Sequence, residues 1–450
     1  MRRDDRRVAR VGRVGRVEQV GLLGCVAWAG YCAAAVVMCL ASLSAQTPFD
    51  QAVADLTSAD AGVRLRAAQT LKATANTESA IPLARLVTDS RGEVQLEAIA
   101  AEINIFLAEK IIPRKRVGFV IEVRRAVAAE TAFSDGPQAL GPRPVPLEVL
   151  AALRTAVRDD DPRIGLEALY AFGTLAFQPG GNERRELLRT SAPDLAALVG
   201  AVDPDLRYAA VRVLGRLFER RPNDDALDES VGDALVAAMN DKDPDVKSAA
   251  MQALGALRYD RAVQALSDQF QYYGKGVVAE ASLDALAHIA NPSSAPLLLA
   301  ALGSKTPAVR GIGIEGLARL GDPARLSDIE SATRVERVEG VRLAAAFAAA
   351  MLGNGSLDSI GDALWRPRAR DQAKQYLVEI ARVRAARLTD LLQHADARFR
   401  ADAADAVGVA GDPGALKLVE PLLGDQEPEV ARAAERAVAR LRAATRKPIS

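Results

Sequence analysis

Residues 203–217 read DPDLRYAAVRVLGRL, and residues 243–257 read DPDVKSAAMQALGAL. Three more stretches align with them: DPRIGLEALYAFGTL (161–175), TPAVRGIGIEGLARL (306–320) and EPEVARAAERAVARL (427–441). Proline holds the second column. The fourth is Ile, Leu or Val, the eighth Ala or Gly, the twelfth Leu, Val or Phe, and the last always Leu. Columns 4, 8, 12 and 15 share one face of an α-helix, because they are spaced by three or four residues. Asp or Thr in the first column is placed to cap that helix. Proline then occupies the first helical position, where its missing N–H costs nothing. Glu427 is a poorer cap in the same place.

Looser copies begin near Ala61, Gly92, Gly276, Val338, Arg368 and Asp396. Shorter amphipathic segments precede most copies, among them AIPLARLVTD (80–89), PDLAALVGAV (193–202), VGDALVAAMN (231–240), APLLLAALGS (295–304) and ALKLVEPLLG (415–424). The unit is therefore a short helix, a turn and a longer helix, and there are about eleven longer helices. One such pair cannot bury its apolar face alone, whereas stacked pairs bury a continuous core. The pattern D-P-x-V-R-x-x-A-x-x-A-L-G-x-L, with a following Gly-Asp-Pro at 321–323 and 411–413, resembles HEAT repeats. It is most similar to the short type named after phycobilisome lyases. The resemblance covers about 50–445 and implies an all-α fold, an α-solenoid of stacked antiparallel helix pairs. It also implies that column-five cations (Arg207, Lys247, Arg310) form an Asp–Arg ladder between repeats.

Composition agrees with helices. The 450 residues are 49% apolar but only 4% aromatic, rich in Ala, Leu and Arg, which enter helices at little cost. Residues 1–45 carry seven arginines against Asp4, Asp5 and Glu18. Removing them from the 58 charges of each sign leaves 51 basic and 55 acidic residues. A body at about −4 argues against a nucleic-acid binder, which needs a basic face. The arginine-rich start, the apolar run 20–43 and the small residues near Ala45 predict a secretory signal peptide over 1–45. The alternative is a membrane anchor, since about 20 apolar residues span a bilayer. Either reading exports residues 46–450 to the periplasm or beyond, or leaves them tethered facing it. Cys25, Cys32 and Cys39 all lie in that run, so the body has no thiol and no disulfide.

Departures from the period are where function is sought. Residues 109–147 interrupt the array with a cationic helix start and a Pro/Gly-rich insertion near 133–148. Residues 178–192 and 220–230 are expected to be solvated loops. Trp365, Arg366, Arg368 and Arg370 place the body's single tryptophan among arginines at an inter-helix turn, the composition of an interface anchor. Tyr272 and Tyr273, with Phe270, form a second aromatic group before Gly274. These residues are the candidate interaction surface.

Motifs for chemistry are weak. GIGIEG (311–316) matches a dinucleotide-binding fingerprint in letters but lies inside a repeat helix, without its βαβ context. NDKDPD (240–245) lacks the glycine and the terminal Glu of a calcium loop and reads as a turn with a helix cap. His288 and His394, both placed on repeat helices, are too few and too far apart for a metal site. Deoxyhypusine hydroxylase, a HEAT-repeat di-iron enzyme, relies on His-Glu pairs; here Ile follows His288 and Ala follows His394. The reading is an exported, non-catalytic scaffold for an unknown protein partner presenting acidic groups, with no cofactor and no nucleic acid. The membrane is met only through 20–43, if uncleaved. The alternatives are a phycobilin-lyase-like enzyme or chromophore chaperone, and a membrane-tethered structural repeat protein.

Overall fold

A computed structural model describes residues 48–107, 144–176, 182–219 and 228–445. The chain divides into two compact units, Met1–Gln51 and Ala52–Ser450, and the repeat array lies in the second. Every regular element of the described residues is helical. Eleven long helices recur: α1 (Ala61–Thr74), α2 (Gly92–Phe106), α3 (Pro162–Leu175), α4 (Pro204–Leu217), α5 (Pro244–Leu257), α6 (Val277–Ile289), α7 (Pro307–Leu320), α8 (Glu339–Leu352), α9 (Arg370–Arg384), α10 (Ala397–Ala410) and α11 (Pro428–Thr445). Each packs on the next, as an α-solenoid requires. The expected signal segment, the cationic helix start and most of the Pro/Gly insertion lie outside the described residues, as do 220–227.

The helix starts follow from the phrase. Asp161, Asp203, Asp243 and Asp396 each accept a hydrogen bond from the backbone N–H two residues on, with proline at the first helical position after the first three. Thr306 takes the same extended conformation without a side-chain cap. The eighth column is the core: Ala168, Ala210, Ala250 and Ala434 have no exposed surface. Successive long helices also approach closely further along, at the thirteenth column. A Cβ on Gly215 would stand 2.8 Å from the Ala253 Cβ, and one on Gly408 would stand 2.6 Å from the Ala437 Cα. Within GIGIEG, Gly313 and Gly316 likewise face Leu298 at 2.8 and 2.6 Å, whereas Gly311 faces open space. Two of the three glycines therefore serve packing.

Two sequence expectations are corrected. Residues 182–192, expected within a loop, belong to the helix Asn182–Ala197, and Pro193 lies inside it. A proline there frees a carbonyl one turn back, and it had suggested a helix start. Ser191 Oγ in the same turn donates to the Leu187 carbonyl at 2.6 Å. His394 stands in the turn before α10 rather than on a helix, where its Nδ1 accepts from the Asp396 N–H at 3.0 Å.

Candidate interaction cleft and the polar inner face

The ladder sets the frame. Arg207 on α4 donates through Nε and Nη2 to Asp241, at 2.7 and 3.1 Å, and through Nη1 to the carbonyls of Ala201 and Val202. Asp241 in turn accepts from the Asp243 N–H at 2.8 Å. One guanidinium thus ties its own turn to the next repeat's turn. Arg64 with Asp89, Arg310 with Glu336 and Arg400 with Asp425 repeat the arrangement. These bonds hold Asp241 and Asp425 below the usual carboxylate range. The acid of each rung stands two residues before the next helix cap; the column-one Asp is occupied as the cap itself. Lys247 does not form a rung. No acid stands at Gly274, two residues before the next cap, so Lys247 Nζ meets the Tyr273 hydroxyl at 3.0 Å.

Trp365 follows the short helix Asp358–Ala363 and stands 49% exposed. It lies edge-on to Phe399, ring centroids 6.0 Å apart, and the Arg398 guanidinium covers its face at 4.7 Å. The turn between Leu364 and Arg370 and the first turns of α10 enclose a cleft of about 240 Å³, lined by Leu364, Trp365, Pro367, Arg370, Arg398, Phe399 and Asp402. Asp402 is buried at its floor, 2.8 Å from Lys374 Nζ and 3.4 Å from Arg370 Nη2. Two cations share that one carboxylate. Arg398 has no carboxylate partner among the described residues, so the rim keeps a positive excess.

The four residues expected at this turn divide. Trp365 and Arg370 line the cleft. Arg366 pairs with Glu339 outside it, and Arg368 is exposed with no hydrogen bond or ion pair among the described residues. Sequence reading missed Arg398, Phe399 and Asp402. Their signal was the loose copy at 396–411, which carries an aromatic in column four and an acid in column seven. Tyr272 and Tyr273 do not line this cleft. They pack edge to face, centroids 5.1 Å apart, at the end of the helix Val263–Tyr273, with Tyr272 84% exposed.

A second polar cluster lies inside the array. Arg319 of α7 is 5% exposed and donates to Glu379 of α9 at 2.7 and 3.0 Å. Its Nη2 also reaches Glu315 at 3.4 Å. The Tyr376 hydroxyl donates to Glu315, and its ring stacks on Phe347 of α8, centroids 4.3 Å apart. Burial alone would raise the Glu379 pKa, but the Arg319 charge and hydrogen bonds pull it down to about 2. The same acids hold Arg319 above its ordinary value against burial. α9 thereby touches α7 across α8. Ion pairs and hydrogen bonds fill the space between α7 and α9 here. Glu102 of α2 is the opposite case. It is wholly buried, neither carboxyl oxygen has a hydrogen-bond partner among the described residues, and burial pushes its pKa well up.

No group of three or more His, Cys, Asp or Glu among the described residues is arranged to hold a metal ion, and none of their helices is long and apolar enough to cross a membrane. The fold and these surfaces define an all-α solenoid of stacked helix pairs. Residues 192–287 and 274–350 match the family model for HEAT repeats, so this part of the array consists of HEAT repeats. The chain is similar to an engineered protein at 20% identity, covering 88% of this chain and 99% of that one, with a TM-score of 0.42. It is similar to the complex of CpcE and CpcF of phycocyanin lyase from Nostoc sp. PCC7120 at 20% identity, covering 55% and 94%, with a TM-score of 0.38. A computationally designed armadillo repeat protein for modular peptide recognition shares 15% identity over 60% of this chain and 98% of its own, with a TM-score of 0.34. No curated protein matches the chain.

Proposed function

We propose that this protein is an exported, non-catalytic scaffold that docks an acidic protein partner at the cleft between α9 and α10. One observation carries the reading: Trp365 is half exposed under Arg398, beside two cations that share a single buried carboxylate. Aromatic and arginine side chains dominate binding energy when they can be desolvated together. The cleft has room for one side chain of a partner. The positive rim favours a carboxylate next to that side chain. HEAT arrays in general offer extended surfaces to partners. The arginine-rich start and the apolar run 20–43 support export.

The test is a purified complex. Full-length protein captures a stoichiometric partner from native envelope extract, and the pair is then reconstituted from purified components. Trp365→Ala with Arg398→Ala weakens the pair on the order of 1,000-fold, since two anchors of about 2 kcal/mol each sum to about 4 kcal/mol. Unchanged affinity in this variant sinks the assignment of the cleft. A bound pigment with no protein partner sinks the scaffold reading itself.

A further inference from the structure

The cleft between α9 and α10 has two kinds of lining. Leu364, Trp365, Pro367 and Phe399 are apolar or aromatic, and Arg370 and Arg398 are cationic. Both linings belong to one cavity of about 240 Å³, too small for more than one residue of a partner. Its own acid is already answered. Asp402 is held by Lys374 at 2.8 Å, and Arg370 reaches it only through Nη2, at 3.4 Å. The Arg370 side chain is 44% exposed and makes no other hydrogen bond or ion pair among the described residues. Arg398 is exposed as well, and its guanidinium lies over the Trp365 ring without a carboxylate partner among those residues. Two guanidinium groups with donors to spare therefore stand on the same small cavity as the apolar lining.

Few ligands satisfy both linings at once. In an extended chain successive side chains point to opposite sides, so an acid next to an inserted apolar residue is carried away from the cleft. An Asp or Glu inserted alone brings a carboxylate but leaves the apolar lining uncovered. The last residue of a chain is different, because its side chain and its carboxylate stand on the same Cα. We propose that the cleft captures the C-terminus of the partner. An apolar last side chain enters against Trp365, Pro367 and Phe399, and the terminal carboxylate pairs with Arg370 and Arg398. Guanidinium donors match a carboxylate in geometry, offering paired N–H groups to paired oxygens. Capture of a terminal carboxylate is a recurring mode of peptide recognition. This rests on the cleft being the docking site, and it adds which part of the partner is taken there.

Ligand-observed NMR on the full chain tests this with three short probes. They are N-acetyl-Gly-Ser-Gly-Leu with a free carboxylate, the same peptide as its amide, and N-acetyl-Gly-Leu-Glu-Gly amide, whose acid is internal. The free acid is expected to bind at least about tenfold more tightly than its amide, the worth of one charge-assisted pair. Arg398→Gln, a change at an exposed side chain, shrinks that preference. Arg368→Gln, an exposed arginine outside the cleft, leaves it intact. An amide that binds as well as the acid overturns the inference, as does an internal acid that binds as well as the terminal one. Absence of binding by all three probes overturns it too. The docking site is judged separately on the purified complex: if Trp365→Ala with Arg398→Ala still weakens the complex, the cleft stands and only the terminus falls.

Discussion

Replacing Glu379 by Gln keeps the shape of the side chain and removes its charge from Arg319. The ordinary pKa of a Glu carboxyl is 4.5, and here it is about 2. A tenfold change in proton affinity is worth about 1.4 kcal/mol, so the ionised form contributes on the order of 3 kcal/mol at neutral pH. Loss of one partner from a buried pair costs about 3–5 kcal/mol by an independent route, and the two figures agree. The sign follows from the depressed pKa. The contribution is fully present above pH 4.5 and is lost as pH falls toward 2. Repeat arrays need not unfold in one step, so the assay is local: hydrogen exchange across Arg370–Arg384, wild type against Glu379→Gln, at about pH 7, 4 and 2.5. The difference in opening free energy should be about 3 kcal/mol at pH 7 and under about 1 kcal/mol at pH 2.5. A difference that stays flat across that window refutes ionisation of Glu379 against Arg319. So does a difference below about 1 kcal/mol at pH 7.

Three further outcomes follow from the same physics. Glu102→Met should stabilise the protein by at least about 1 kcal/mol at pH 8, because it removes a buried carboxyl with no hydrogen-bond partner among the described residues. The raised pKa means that this burden grows as pH rises above the ordinary Glu range, so the gain in melting temperature should shrink at about pH 4; a gain equal at both pH values refutes it. Gly408→Ala should destabilise by about 1–3 kcal/mol, since its Cβ would sit 2.6 Å from Ala437 Cα, while Gly311→Ala, with nothing near, should be neutral or stabilising by up to about 1 kcal/mol. Equal melting shifts for the two glycines would contradict the packing at column thirteen. Arg400→Ala should cost on the order of 2 kcal/mol, through the bonds to Asp425 and to the carbonyls of His394 and Ala395, read as lost hydrogen-exchange protection at the start of α11; undiminished protection there would show that the rung is idle.

The repeating element was legible in the chain's own letters. Apolar columns at helical spacing and an Asp-Pro start are local signals, and they placed all eleven long helices and the caps of the clearest copies. Local signals also misled where another interaction overrode them. Pro193 suggested a helix start, yet the helix Asn182–Ala197 runs through it. Arginine in column five pointed to a ladder between repeats, but which acid answers it was not legible, because the rung acid belongs to the turn of the following repeat. Lys247 found a tyrosine where that acid was missing. Trp365 and Arg370 were visible as an unusual composition. Arg398, Phe399 and Asp402, which complete the cleft, come from the next repeat and were invisible as partners. The Arg319–Glu379 pair was hidden for the same reason. Its members lie 60 residues apart on α7 and α9. Periodicity records what each helix must bury against its neighbour. Only the superhelical stacking decides which polar groups of non-neighbouring repeats face one another, and both the cleft and the inner ionic cluster are made of such groups.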